Sequence, residues 1–454
     1  MPERPPPATR GMRRQLLRPA QAIVAAFAGA ILLGTAVLML PVAKQGPGGA
    51  SFVEALFTAT SAVCVTGHVV VDTATYWTPL GQVTILLLIQ IGGFGIMTFA
   101  SVIGLAVVRR MSLRSRITAA AEAHSTGLGD LRGLLLGVVR ITLVAEALVA
   151  TALALRFWLG YGEPFGRALW LGAFHSVSSF NNAGFALFSD SLMSYATDPL
   201  VCLPIAASII VGGLGFPVIV QLRRHLTLPR VWTVTTRLVL AGTLVLLVLG
   251  TVYITAIEWS NPRTLGAMDW PGRILAGFFT SVQTRTAGFN SIDTGAMDPA
   301  SWFGMDALML IGGGPGGTAG GIKITTFAVL FFILLTELRG ERAVNVLGKR
   351  LPRSVQREAI TVVLLAVAVV VIATVALMLL TDISTDRLLF EVVSAFGTVG
   401  LSTGITADLP TAGQLILVLL MFIGRLGPIT FATALALRTR RITYELPQER
   451  PVIG

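Results

Sequence analysis

The sequence predicts an all-α integral membrane protein made of four copies of a unit in which a re-entrant loop joins two spanning helices. Three observations support this prediction: the composition, eight long apolar segments, and a Phe–Gly spacing that recurs four times. Of 454 residues, 54% are hydrophobic and only 13% are charged, about half the charged fraction of a soluble domain. So few charges cannot cover a water-exposed surface, and lipid is the solvent that fits this chain.

Eight segments are long enough to cross the bilayer, which takes about 20 apolar residues. They are residues 20–42, 79–108, 135–159, 199–222, 234–257, 303–336, 358–381 and 412–437. Within each successive pair, the two segments are separated by a half-apolar stretch that is too short to span. Non-helical backbone survives at membrane depth only inside protein or beside water, so these stretches are predicted to be re-entrant loops.

The basic residues orient the chain in a cell membrane. The net charge is +11, and the Arg and Lys residues gather before residue 19 and in segments 109–140, 223–237, 339–357 and 438–450. Because cytoplasmic loops carry the excess of Arg and Lys, both termini are predicted inside and all four re-entrant loops outside. This placement favours contact with lipid, with Arg438, Arg440 and Arg441 as a membrane-surface anchor, and argues against a nucleic-acid partner.

The four predicted loops share a Phe and a Gly ten positions apart. The pairs are Phe57 and Gly67, Phe174 and Gly184, Phe278 and Gly288, and Phe390 and Gly400. A second glycine marker follows in the next span, at residues 92–95, 212–215, 312–314 and 424–427. Helix packing on small residues explains one such marker, but two markers in the same register four times indicate an internal repeat.

The repeat predicts the organisation of the chain. Residues 1–18 form a disordered cytoplasmic tail, and residues 19–109 form the first repeat. The second repeat, 110–223, begins with a cytoplasmic linker. The third, 224–338, has an interrupted second span. The fourth, 339–438, again begins with a cytoplasmic linker, and residues 439–454 form a second tail.

The loops carry the features of a cation pore. A ring of backbone carbonyls can replace the hydration shell of a cation, and glycine permits the dihedral angles that aim carbonyls at an axis. The carbonyl end of a short helix such as residues 390–396 also favours a cation. The predicted filter consists of Val63, Cys64, Val65, Thr66, Gly67, Asn181, Asn182, Ala183, Gly184, Arg285, Thr286, Ala287, Gly288, Gly397, Thr398, Val399 and Gly400.

The sixth apolar segment contains seven glycines and one proline in ten residues, so no stable helix is expected there. Its glycines match a dinucleotide-binding fingerprint in spacing, but the strand that such a motif requires before it is missing. The segment instead predicts a flexible loop under the filter that acts as a gate. The predicted gate residues are Gly312, Gly313, Gly314, Pro315, Gly316, Gly317, Thr318, Ala319, Gly320, Gly321, Lys323 and Arg425.

Two arginines stand out at membrane depth. Arg425 lies halfway along the last span, where arginine costs about 2.5–3.5 kcal/mol, and three repeats carry glycine in its place. We predict that Arg425 belongs to the gate, with a helix-packing ion pair as the alternative. Arg285, in the third loop, is predicted to brace the filter through backbone carbonyls or through a pore-helix carboxylate such as Glu391.

The loop sequences TSAVCVTG (60–67), SFNNAGF (179–185), TRTAGFNSID (284–293) and SAFGTVGLSTG (394–404) resemble the filter loops of the Trk/Ktr/HKT superfamily of K⁺ transporters. The resemblance extends to GGGPGGTAGGIKITTF (312–327) and FIGRLGPITFATAL (422–435). It is strongest to the Ktr membrane subunit, which also has eight spans and a short N-terminal tail. Cys64 and His68 depart from this pattern.

The resemblance implies K⁺ uptake through a channel-like pore, with one pore per protomer of a homodimer and a cytoplasmic ring of nucleotide-binding regulatory subunits. Glycine at all four filter positions favours K⁺ as the transported ion, and stimulation by Na⁺ is a further candidate. A Na⁺-permeable pathway and an alternating-access cation symporter remain alternatives. Symporters of that kind use inverted repeats, whereas each unit here has two spans. The sequence offers no nucleophile–base pair or metal-ligand set, so an enzyme is not predicted.

Overall fold

The computed structural model describes residues 10–109 and 131–427, and the regular secondary structure of this part of the chain is almost entirely helical. The predictions for the linker residues 110–130, for the tail 439–454 and for Arg438, Arg440 and Arg441 lie outside the described residues.

Each quarter of the chain places a short helix between longer ones. The elements are α1 (Arg10–Leu38), α2 (Phe52–Val63), the single turn α3 (Thr73–Tyr76), α4 (Pro79–Arg109), α5 (Leu131–Tyr161), α6 (Phe165–Phe180), α7 (Pro199–Leu214), α8 (Phe216–His225), α9 (Val234–Glu258), α10 (Trp270–Gln283), α11 (Pro299–Leu310), α12 (Ile324–Leu338), α13 (Arg353–Met378), α14 (Thr385–Gly397) and α15 (Thr411–Leu426). Before α13, strands β1 (Asn345–Val346) and β2 (Lys349–Arg350) form a small antiparallel hairpin, in which Asn345 pairs with Arg350.

Within the described ranges, five helices are long and apolar enough to cross a membrane. They contain the segments Gln21–Leu38, Pro79–Thr98, Leu136–Tyr161, Val234–Glu258 and Arg353–Met378. The pair α7 and α8 makes a sixth if it is counted as one span bent by 99°. The prediction of an all-helical membrane protein is confirmed, while the count of eight spans remains a prediction.

Helix α1 extends beyond the predicted first span. It begins at Arg10, so the prediction of disorder is wrong for residues 10–18. Once the apolar segment has nucleated the helix, each further residue costs little, except at Pro19, which has no N–H to donate. The Arg, Met, Gln and Leu residues that precede the apolar segment are all good helix formers.

The short helices α2, α6, α10 and α14 lie at the centre of the packing. Each is buried along most of its length, and each is packed by the long helix that precedes it. Their N-termini are defined locally. Ser51 and Glu54 form a reciprocal capping box on α2, and the Asp269 carboxylate caps α10 through the N–H of Gly272 at 3.1 Å. Such caps satisfy N–H groups that the helix itself leaves unpaired.

The second glycine marker brings a neighbouring helix against the end of each short helix. A Cβ at the marker glycine would overlap a backbone carbonyl in three repeats: Gly92 against Val63, Gly212 against Phe180, and Gly424 against Phe396. These carbonyls belong to the last turn of the short helices. Glycine is therefore needed there for close approach. The third repeat differs, because Gly312 meets Gly320 of its own loop.

The fourth predicted span, residues 199–222, is broken where the sequence predicts one helix. Gly215 ends α7 with φ 94° and ψ 142°, a conformation open to glycine. Pro217 then stands in the first turn of α8, where its missing N–H costs nothing. Gly427, which ends α15, has nearly the same angles, 84° and 140°.

Candidate functional site

The four glycines of the Phe–Gly pairs form a closed ring. Each has a positive φ, between 71° and 92°. A Cβ at each would lie 3.0–3.2 Å from a backbone carbon of the next: Gly67 from Gly184, Gly184 from Gly288, Gly288 from Gly400, and Gly400 from Gly67. Four loops that each touch the next in this cyclic order enclose a common axis, and only hydrogen fits where they meet.

A second backbone feature repeats two residues before each ring glycine. Val65, Asn182, Thr286 and Thr398 all have left-handed φ values, from 52° to 71°. Such a conformation costs a non-glycine residue about 1–3 kcal/mol, so four equivalent cases indicate a shared requirement. A regular extended strand points successive carbonyls to opposite sides. When every second residue is left-handed, successive carbonyls point to the same side. A wall of carbonyls around an axis requires this arrangement.

Each loop is tied to the end of its own short helix. The N–H groups of Thr66, Ala183 and Val399 donate to the carbonyls of Ser61, Ser178 and Ser394 at 2.7–2.8 Å. The hydroxyls of Ser61 and Ser394 also accept from the N–H groups of Gly67 and Gly400, at 3.0 and 3.1 Å. These hydrogen bonds fix the position of the glycine ring relative to the ends of the short helices.

The third loop is offset by one residue from the other three. The carbonyl of Gln283, not of Val282, accepts from Ala287 at 3.1 Å, and the Gln283 side chain accepts from the N–H of Phe289 at 3.0 Å. Correspondingly, Phe279 is fully buried, whereas Phe278 is only partly buried. In this loop the residue ten positions before the glycine is therefore Phe278, and the residue that occupies the core is its neighbour Phe279.

One side of the ring, which the charge pattern predicts to face outward, opens into a cavity of about 360 Å³, lined by the four ring glycines and by Asp72 and Asp190. The Asp72 carboxylate accepts hydrogen bonds from Ser189 at 2.6 Å, Thr75 at 2.7 Å and the N–H of Ala74 at 2.9 Å. Burial raises the pKa of Asp72, but these hydrogen bonds outweigh it and hold the pKa below its ordinary value. An ionised carboxylate therefore lies beside the outer opening.

On the other side of the ring, the glycine-rich loop between α11 and α12 lies directly against two filter loops. The Thr318 hydroxyl is 3.0 Å from Oδ1 of Asn182 and 3.2 Å from the carbonyl of Phe180. A side chain at Gly320 would overlap the Thr398 hydroxyl. Thr318 and Ala319 are fully buried. The loop therefore occupies the space under the second and fourth filter loops.

The same loop is fastened to the break between α7 and α8. Gly314 donates to the carbonyl of Gly213 at 2.8 Å, and Thr318 donates to that of Gly212 at 3.2 Å. In return, Phe216 donates to the carbonyl of Gly316 at 3.1 Å. The predicted flexible loop is thus held by backbone hydrogen bonds, and any movement of the loop has to break them.

Arg425 links this loop to α4. Its guanidinium is 2% exposed, donates through Nη1 to the carbonyl of Thr318, and donates through Nη2 to the carbonyl of Gly92 at 3.2 Å. Lys323 makes a similar bond inside the loop, to the carbonyl of Ala319. The partners of Arg425 in the described structure are therefore backbone oxygens of two different repeats.

Arg285 uses one of its two predicted partners. Its Nη1 lies 3.4 Å from the carbonyl of Thr243, and its own carbonyl accepts from the Asn182 amide at 3.4 Å. Glu391 instead contacts His68 and accepts from Ser402. A bracing role through carbonyls fits this geometry, whereas an Arg285–Glu391 pair does not.

The structure also shows a buried polar cluster that the sequence analysis missed. Glu146 on α5 is 6% exposed and accepts from Gln90 at 3.0 Å and from Asn181 at 3.1 Å. Asn181 directly precedes the left-handed Asn182 of the second filter loop. The signal was available, because a carboxylate inside an apolar span marks a functional candidate.

Helices around four inward loops that meet in a glycine ring define a polytopic membrane protein of the pore-loop type. The chain belongs to the TrkH family of cation transport proteins, which matches residues 19–442. The resemblance to Trk and Ktr transporters is thereby confirmed.

Individual relatives agree with this assignment. The chain is 39% identical to the Ktr system potassium uptake protein B of Vibrio alginolyticus, over 95% of this chain and 94% of the relative. It is 34% identical to the potassium/sodium uptake protein NtpJ of Enterococcus hirae, over 97% and 98%. The crystal structure of the potassium transporter TrkH from Vibrio parahaemolyticus has the same fold, with a TM-score of 0.71, 19% identity, and coverage of 92% and 84%.

Proposed function

We propose that this protein takes up K⁺ across the cell membrane through a pore whose selectivity filter is the ring of Gly67, Gly184, Gly288 and Gly400. The closed ring is the observation that carries the proposal. Four loops with the same pair of left-handed positions surround one axis, and carbonyl rings of this kind replace the hydration shell of a cation. The names of the relatives, potassium uptake and potassium/sodium uptake, support the same ion class.

Permeation of Na⁺ is the second candidate, because the relative from E. hirae is named for both ions. Glycine at all four ring positions favours K⁺, since no side chain narrows the ring. An alternating-access symporter agrees less well with this chain. Its four units follow one another in the same order of helix, short helix and helix, whereas such carriers rely on inverted halves.

The glycine-rich loop, Lys323 and Arg425 form the proposed gate, and the arrangement described above would be its closed state. A guanidinium near the axis repels a passing K⁺, because two unit charges 4 Å apart cost about 4 kcal/mol at an effective dielectric near 20. The loop fills the space below two filter loops. Opening then requires the loop and Arg425 to move together, since Arg425 holds the carbonyl of Thr318.

The proposed assembly is a homodimer in the membrane, with one pore in each protomer and nucleotide-binding regulatory subunits on the cytoplasmic side. The V. alginolyticus relative is named as protein B of a Ktr system, which supports a pore subunit that works with other components. Four repeats bounded at residues 19–109, 110–223, 224–338 and 339–438 are part of this proposal, with Na⁺ stimulation as a further property.

Flux of Rb⁺ and Na⁺ into liposomes containing the purified protein tests the proposal. We expect rapid Rb⁺ uptake, competition by K⁺ and weak competition by Na⁺. Serine at Gly67 or Gly288 should raise the KM for K⁺ and admit Na⁺ while the protein stays folded. Unchanged discrimination in serine variants of all four ring glycines would remove the filter assignment.

A further inference from the structure

The ring has one contact between loops that differs from the other three. Gly67, Gly184, Gly288 and Gly400 follow one another along the chain, so the peptide backbone connects each loop to the next. Gly400 and Gly67 also touch, although they belong to the last and first repeats. We call this contact the closing seam. No chain segment joins these two loops in sequence, so packing of α15 against α2 and contacts between side chains hold the seam together.

A single buried carboxylate contacts both loops of the closing seam. Glu391, in α14, accepts from the hydroxyl of Ser402 at 2.9 Å and from that of Thr406. On its other side, Nδ1 of His68 lies 3.4 Å from Oε1 of Glu391, and both side chains are 0% exposed. His68 directly follows Gly67, and Ser402 follows Gly400 by two residues.

The other repeats show that the fold does not require this pair. The residue after the ring glycine is Phe185, Phe289 or Leu401 elsewhere, and each is buried. An imidazole and a carboxylate in such surroundings are costly, and a pair of this kind is weak evidence for stability. The His68–Glu391 pair occurs at the closing seam, the one ring contact between loops that are not consecutive along the chain. This location points to a role in holding that contact.

We infer that His68 and Glu391 are a positioning pair that fixes the distance between the Gly67 and Gly400 strands and thereby sets discrimination against Na⁺. This inference rests on the proposed function. A ring held on all four sides keeps its carbonyls at one spacing, whereas a ring with one loose side can close around a smaller ion. The pair acts on the ion only through the two strands.

Three variants test the pair in the liposome flux assay. His68→Phe introduces the residue that two other repeats carry, and Glu391→Gln keeps an acceptor oxygen and the same size. The double variant His68→Phe/Glu391→Leu removes both polar groups. We expect the ratio of Na⁺ flux to Rb⁺ flux to rise about tenfold in His68→Phe. A change of this size corresponds to the free energy of one lost hydrogen-bond-like contact. The KM for Rb⁺ should rise while the maximal rate changes little.

The remaining variants separate positioning from general stability. The ratio of Na⁺ to Rb⁺ flux should rise less in Glu391→Gln than in His68→Phe. In the double variant this ratio should rise no further than in His68→Phe, because the same contact is removed. Glu258→Gln is the matched control. This carboxylate is equally buried and accepts from Asn261 and Thr264, away from the ring. It should lower stability and leave the flux ratio unchanged.

The outcomes distinguish this inference from the proposed function. If His68→Phe and Glu391→Gln keep the wild-type ratio while Gly67→Ser loses it, the pair has no role in selectivity. If the wild-type protein itself fails to discriminate, the filter assignment fails instead. Should His68→Phe not fold, the ratio measured for Glu391→Gln and for the double variant decides, and an unchanged ratio in both overturns the inference.

Discussion

The ring of filter glycines and the layer beneath it are built on opposite principles. In the ring, every repeat contributes a left-handed residue two positions before a glycine of positive φ, although the type of the left-handed residue varies. In the layer below, the third repeat contributes a loop and the fourth contributes Arg425, whereas the first two contribute the groups that these contact, mostly backbone carbonyls. The proposed function assigns ion selection mainly to the repeated ring and regulation to the unrepeated layer beneath it.

The two regions also differ in how they tolerate change. A side chain at a ring glycine would collide with backbone of the neighbouring loop, which has no room to move aside. The lower loop is held by a small number of hydrogen bonds, each with a net contribution of about 0.5–1.5 kcal/mol. The ring is therefore expected to be rigid, and the lower layer is expected to exchange between arrangements.

Changes in the ring should have the largest effect. Gly288→Ser is expected to reduce the ratio of Rb⁺ to Na⁺ flux by about tenfold, because the added Cβ would overlap the carbonyl of Val399 in the neighbouring loop and a difference of about 1.4 kcal/mol is a factor of ten. Rates measured on monodisperse protein in liposomes check this. Gly404→Ser is the matched control, since that glycine also has a positive φ but open space around it, and it should keep the wild-type ratio.

Shortening the lower loop should have the next largest effect. Deleting about half of residues 313–320 removes the material under the filter, and we expect Rb⁺ flux to rise about tenfold. Dependence on cytoplasmic regulatory subunits should fall. A normally expressed deletion variant with reduced flux would show that the loop supports the pore structurally.

A smaller increase in flux is expected for Arg425→Ala, by about threefold to tenfold, because the loop remains while one charge is lost. Arg425→Lys is the matched variant and should keep much of the block. Initial rates of Rb⁺ uptake compare the two. Wild-type flux in the alanine variant, or failure to fold, would assign Arg425 to packing.

The smallest effect is expected at the outer opening. Asp72→Asn removes an ionised carboxylate, so uptake at low external K⁺ should fall about twofold with the maximal rate unchanged. Because the pKa of Asp72 lies below its ordinary value, the contribution of the carboxylate to uptake is present at neutral pH. It is lost as the pH falls below the ordinary pKa of an aspartate. An unchanged KM in Asp72→Asn would exclude a role in attracting cations.

The sequence predicted the repeated parts of this molecule better than the unrepeated ones. The loops around Gly67 and Gly400 could be found because their spacing recurs, and recurrence is visible in one sequence. The break at Gly215 was missed because a single Gly-Phe-Pro inside an apolar run reads as continuous helix. The offset at Phe279 and the His68–Glu391 contact depend on distances between loops, which spacing along the chain does not contain.

The ion selectivity of the loop-deleted protein tests most directly the separation of filter and gate. Rb⁺ and Na⁺ fluxes should be measured side by side for the wild type and for the variant lacking about half of residues 313–320. If the ring alone selects, both fluxes rise and their ratio stays at the wild-type value. A ratio that falls toward one as the flux rises would contradict the account, because selectivity would then depend on the layer beneath the ring.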